Sequence, residues 1–96
     1  MNNKIYILEE RGLLYVLGED VNEFLQNIIS NDINKVTNDN SCYTSMFTPQ
    51  GKYLFDFIII KHKKGYFFDC EKKQIDDLYK QLNLYKLRSK VEITNL

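Results

Sequence analysis

Ninety-six residues with 44% hydrophobic and 27% charged content make one small domain, which buries a smaller share of its surface than a large one does. Thirteen basic residues against thirteen acidic ones leave a formal net charge of zero, so no field draws the chain to nucleic acid or to an anionic membrane, and neither is expected as a partner. No apolar run approaches the roughly 18 residues of a membrane span and no charged-then-apolar leader is visible, so an intracellular protein is expected.

In chain order, Lys4 to Leu8 reads as a short strand, and Glu9-Glu10-Arg11-Gly12 turns it into a second, Leu13 to Leu17. A helix follows. Asp20 suits its N-cap with Glu23 three residues on, a capping-box spacing, and Val21, Phe24, Leu25, Ile28 and Ile29 fall on one helical face. Ser30-Asn31-Asp32 ends it with residues that C-caps and turns favour in any protein. Asn34 to Ser41 is a polar connection.

Cys42 to Ile60 reads as a hairpin around Thr48-Pro49-Gln50-Gly51, where the proline pre-sets φ and Gly51 can take a left-handed conformation. In its second arm Tyr53, Phe55, Phe57 and Ile59 share one face, and Leu54, Asp56, Ile58 and Ile60 the other. Both faces are apolar except for Asp56, and such a strand is normally covered on both sides. A carboxylate in an apolar row must be hydrogen-bonded, sit at a wet edge or be held for a purpose. Two readings stay open: a satisfied strand acid, or a functional carboxylate.

Lys61-His62-Lys63-Lys64 turns into a third strand, Gly65 to Cys70, and His62 between lysines is expected in solvent, with no acid or cysteine neighbour to make it catalytic. Glu71 to Leu82 is a second helix with Ile75, Leu78, Tyr79 and Leu82 buried and acids near its start, where the helix dipole favours them. Lys90 to Thr94 is a last strand. The order β-β-α-β-β-β-α-β predicts an α+β fold, an antiparallel sheet with two helices on one face, ferredoxin-like. Cys42 and Cys70 have no metal-site spacing and are expected as buried reduced thiols.

Taken together, Arg11-Gly12-Leu13, Val16-Leu17-Gly18-Glu19-Asp20, Phe24-Leu25-Gln26, Ser30-Asn31-Asp32-Ile33, Tyr43, Thr48-Pro49-Gln50-Gly51-Lys52, Asp56 and Tyr85-Lys86-Leu87-Arg88-Ser89-Lys90-Val91 resemble, in order and spacing, the start of the folate-binding YgfZ family and, more distantly, the glycine-cleavage aminomethyltransferases. The resemblance implies the first domain of the aminomethyltransferase-type folate-binding fold, an N-terminal portion of a longer multi-domain protein. It implies tetrahydrofolate as cofactor, held with residues outside this chain, and as partners the remaining domains and iron–sulfur proteins. Asp56 matches the carboxylate near the reactive folate nitrogens and Tyr43 a ring that packs by the folate. Arg88 is a candidate for a folate glutamate tail, against the alternative of a surface ion pair.

The function so implied is a folate-binding accessory role in iron–sulfur cluster assembly or repair and tRNA modification, with no turnover of its own expected. A bacterial cytoplasm is expected over a mitochondrial matrix, because no presequence is visible. The family's downstream Lys-Gly-Cys motif is absent from these residues. The alternatives are a fragment of an aminomethyltransferase, or a stand-alone ferredoxin-like interaction module.

Shared folate contact requires Tyr43 and Asp56 on one face. A three-residue loop Pro49-Gln50-Gly51 would set Tyr43 opposite Phe57, on the wrong face, whereas a four-residue loop from Thr48 would set it opposite Asp56. The expectation is a shared face, reached by the four-residue loop or by the three-residue loop with a compensating bulge.

Overall fold

The computed structural model describes residues 10–47 and 53–96. The predicted strand Lys4 to Leu8 and the loop Thr48 to Lys52 lie outside the described residues. In order come β1 (Arg11–Leu17), α1 (Val21–Ile28), a 3-10 turn at Ile33–Lys35, β2 (Cys42–Phe47), β3 (Tyr53–His62), β4 (Gly65–Glu71), α2 (Lys72–Lys86) and β5 (Glu92–Asn95). The strands form one antiparallel sheet in the order β2-β3-β4-β1-β5. Without β2, which adds an edge strand, the path β1-α1-β3-β4-α2-β5 is the expected ferredoxin-like plait, with β1 between β4 and β5.

Alternation along the strands decides which side is core. Leu14 and Val16 of β1, Thr44 and Met46 of β2, Phe55, Phe57 and Ile59 of β3, and Tyr66, Phe68 and Cys70 of β4 are buried on one face. Phe24 and Leu25 of α1 and Ile75, Leu78 and Leu82 of α2 belong to the same apolar cluster, so both helices cover that face. At its centre the rings of Phe57 and Phe68 stack with centroids 4.6 Å apart, and both residues are fully buried.

Local rules were overridden where distant residues intervene. Arg11 and Gly12, expected in a turn, begin β1 and pair with Glu71 and Cys70, and a Cβ on Gly12 would come within 3.0 Å of the Ile75 side chain. Asp20 precedes α1 as expected, but its side chain makes no capping bond. Its carboxylate accepts from the Lys90 amide at 2.8 Å while its own amide donates to the Lys90 carbonyl at 3.2 Å, tying the start of α1 to the approach of β5. The last strand accordingly begins at Glu92 and not at Lys90. Helix α2 starts on Lys72 and Lys73 with no acid in its first turn, and it continues past Leu82 to Lys86. Asn83 does not interrupt it, because its side chain donates back to the Tyr79 carbonyl at 2.9 Å.

The two thiols have different settings. Cys70 is fully buried among the core apolar groups, and burial pushes its thiol up to about 11, with the Arg11 guanidinium opposing. Cys42 is half-buried. An unfolded chain loses the Cys70 proton near the ordinary value while the native state keeps it, so this group's contribution to stability is intact below pH 9 and is lost as pH rises towards 11. Urea midpoints measured across that window should fall in the parent and fall less in Cys70→Ala, and a thiol reagent should modify Cys42 first, reaching Cys70 only through opening.

Candidate functional site

No described element covers the second face of the sheet. It carries Leu13 and Tyr15 of β1, Tyr43 and Ser45 of β2, Asp56, Ile58, Ile60 and His62 of β3, and Phe67 and Asp69 of β4. Tyr43 is 64% exposed, and Leu13 and Ile60 are each 38% exposed. Burial thus follows the predicted partition of β3, with the Phe55, Phe57 and Ile59 row inside and the Asp56 row on the open side.

Tyr43 and Asp56 meet on that open face. The Tyr43 hydroxyl donates a hydrogen bond to Asp56 Oδ2. The carboxylate is therefore hydrogen-bonded, one of the three solutions available to an acid in an apolar row. The register that allows this is bulged. Phe47 pairs with Tyr53, the alignment that a three-residue loop would leave, but a shift at Met46/Phe47 leaves Leu54 unmatched and pairs Met46 with Phe55, Ser45 with Asp56 and Tyr43 with Ile58. Side chains alternate, so the one-residue shift turns Tyr43 onto the Asp56 face. Tyr43 stands diagonal to Asp56 and not directly opposite, at a distance that a tyrosine spans easily. The Asp56 hydrogen bond first, then desolvation and last the Asp56 negative charge raise the Tyr43 pKa and keep the phenol protonated.

The segment after α1 lies along the outer edge of β2. Ile29 bridges Met46, the Ser30 amide donates to the Ser45 carbonyl at 2.8 Å, and the Ser45 amide donates to Ser30 Oγ at 3.0 Å. Ser30 Oγ also lies 3.2 Å from Thr44 Oγ1, satisfying a buried hydroxyl. Asn31 Nδ2 donates weakly to the Tyr43 carbonyl at 3.4 Å. Asp32 then caps the 3-10 turn through Asn34, and Gln26 Oε1 accepts from the Ile33 amide. The Ser-Asn-Asp run is structural, as its turn chemistry predicts, and it also closes a sheet edge.

The face holds a second polar pair that the sequence reading missed. Arg11 Nε donates to Asp69 Oδ1 at 2.8 Å and Nη2 to the Asp69 carbonyl at 3.0 Å, both side chains 27% exposed. Asp69 alternates with buried Phe68 and Cys70, a visible signal, but its partner lies 58 residues away. Near the β3-β4 turn His62 is exposed, as expected, and stacks in a tilted contact with Phe67 at 5.2 Å. The structure does not bring Arg88 to this group. It is exposed in the turn before β5, at the opposite sheet edge from β2, four strand spacings or about 19 Å across. Among the described residues no cluster of three or more His, Cys, Asp or Glu side chains could hold a metal ion.

As a donor set, Asp56 with Tyr43 offers one carboxylate oxygen, Oδ1, that accepts no hydrogen bond among the described residues. The Tyr43 phenol holds the other oxygen, and Ile58 lies two residues further along β3 on the same face.

No family profile matches the chain. It is 34% identical over 93 residues to the iron–sulfur cluster assembly factor IBA57 homolog, mitochondrial, of Neurospora crassa, covering 90% of this chain and 21% of that protein. It is 34% identical over 74 residues to an aminomethyltransferase of Chlorobaculum parvum, covering 71% of this chain and 20% of that enzyme. In structure it is similar to the glycine cleavage system aminomethyltransferase T of Bartonella henselae, with a TM-score of 0.82 over 91% of this chain, 24% of that one, at 16% identity. The chain thus spans about a fifth to a quarter of the length of the proteins it matches. The expectation of a bacterial cytoplasm is overturned by these relatives, since the assembly factors that match 90% or more of this chain are mitochondrial proteins of fungi. A folded domain's core and surface do not encode its compartment, so these residues were a poor guide to it.

Proposed function

Since this chain belongs to the GcvT-like family that joins the YgfZ-type iron–sulfur cluster assembly factors to the aminomethyltransferases, we propose that it forms the first portion of a tetrahydrofolate-binding accessory protein. That protein supports iron–sulfur cluster assembly or repair and, through iron–sulfur enzymes, tRNA modification. The observation that carries this reading is the Tyr43–Asp56 pair on a sheet face left open by every described element. Asp56 accepts a ring N–H through Oδ1, Tyr43 holds the other oxygen and presents its ring, and Ile58 supplies an apolar floor. When bound, the reduced folate supplies nitrogens that carry one-carbon units. Arg88, on the far edge, meets an acidic group of the remaining polypeptide or of a glutamate tail, and the remaining domains close the pocket.

Calorimetric titration of the full-length protein with tetrahydrofolate tests the reading. Asp56→Asn replaces a charge-assisted hydrogen bond by a neutral one, so affinity should drop roughly 10- to 100-fold. Unchanged affinity would remove Asp56 from the site. The second reading, an aminomethyltransferase, is favoured by the identity to the Chlorobaculum enzyme. It predicts tetrahydrofolate-dependent transfer of an aminomethyl group with turnover, and the accessory reading predicts none.

A further inference from the structure

The open-face pair depends on a register that β2 and β3 do not fix by themselves. A hairpin with a bulge next to its loop can slide by one residue, and a slide would send Tyr43 to the helix-covered face and leave Asp56 without its donor. Something outside the hairpin must hold β2, and the structure shows what touches it. Ser30 takes both outward hydrogen-bonding groups of Ser45, the residue paired with Asp56, and Ile29 bridges Met46, the residue at the shift. The same hydroxyl reaches Thr44 on the buried side, so a single side chain grips the strand from its edge and its inner face.

We propose that Ser30 is a positioning residue for this site: its amide and hydroxyl lock Ser45 and thereby hold β2 in the bulged register that sets the Tyr43 hydroxyl on Asp56. The functional weight of this inference rests on the folate reading above, but its structural content does not. Ser30 never touches the ligand. It acts through Ser45 and Tyr43, and Asn31, donating to the Tyr43 carbonyl, reinforces the grip one residue further on.

The test uses the full-length protein with ring-labelled tyrosine, Tyr43 being assigned by loss of its signal in Tyr43→Phe. In the parent the Tyr43 phenol titrates above the ordinary tyrosine range, because of Asp56. In Ser30→Ala it should return towards that range, and in Ser30→Thr, which keeps the hydroxyl, it should stay raised. Leu78→Ala lowers stability from α2, which packs on β1, β4 and β5 and not on β2, and should leave the titration where it is, which separates positioning from general loosening. If Ser30→Ala does not fold, Asn31→Ala is read in the same way. An unmoved Tyr43 titration in the serine variant, or an equal shift in Leu78→Ala, overturns the proposal.

A second arm measures tetrahydrofolate affinity. Ser30→Ala should weaken it about tenfold, the equivalent of one misplaced hydrogen bond. The double variant with Asp56→Asn should bind no worse than Asp56→Asn alone, because both act through one pair. Fully additive losses overturn the proposal. If the parent binds no folate, the functional reading fails while the phenol titration still decides whether Ser30 positions Tyr43.

Discussion

Replacing Gly18 by alanine should lower the stability of this domain by about 3 kcal/mol or more, near the upper end of what one substitution does. Gly18 follows β1 with φ at 142°, a conformation that side-chain-bearing residues rarely adopt. A Cβ there would lie 2.1 Å from the Lys90 carbonyl oxygen and 2.8 Å from the Val91 Cα, both of them backbone atoms. The same carbonyl accepts from the Asp20 amide, so moving it away breaks the tie between the start of α1 and the approach of β5. Gly12→Ala is the informative control. There the atoms nearest the added methyl belong to the Ile75 side chain, at 3.0 Å, and a loss near 1 kcal/mol is expected. For a domain of this size 1 kcal/mol corresponds to roughly 4–8 °C in Tm, so thermal scans should separate the two variants plainly. Equal Tm values for the two would mean that the Gly18 backbone is not held against Lys90.

Phe68→Ala should cost about 3–5 kcal/mol, through lost burial and the cavity left behind. Phe68 is fully buried on β4, pairs with Leu14 of β1 and Ile59 of β3, and stacks on Phe57. Neighbours on the two flanking strands of a sheet cannot collapse inward as a loop can, so little of the cavity closes. Phe68→Leu keeps most of the volume and should lose well under half as much. Urea unfolding with an unchanged slope would attribute the difference to the native core, whereas a small loss in Phe68→Ala would show the stacked pair to be dispensable.

What could be read in the sequence was what is local. The amphipathic face of α1 and the buried row of α2 follow from helical spacing, and the two faces of β3 from alternation. Asp56 stood out because its neighbours are apolar. What escaped was decided across the chain. Asp20 has the composition of a cap, yet its carboxylate serves Lys90, 70 residues away. Arg11 and Gly12 have the look of a turn, yet pairing with β4 and the approach of Ile75 draw them into a strand. Turn chemistry left the hairpin register open between two loops. The bulge resolved it at Met46/Phe47, beside the Ile29 bridge, a contact that no pattern within the hairpin encodes. The likeness of scattered short motifs to one family proved more informative about function than any one of them, since each is equally at home in an ordinary cap, turn or strand.

The central claim is that the open sheet face, with Tyr43 and Asp56, is where a reduced folate sits. A crystal structure of the full-length protein with tetrahydrofolate tests it most directly. The account predicts the pteridine against this face, one of its N–H groups on Asp56 and the Tyr43 ring alongside, with the remaining domains closing the other side. Folate bound elsewhere, with Asp56 still satisfied by Tyr43 alone beneath packed protein, would contradict it.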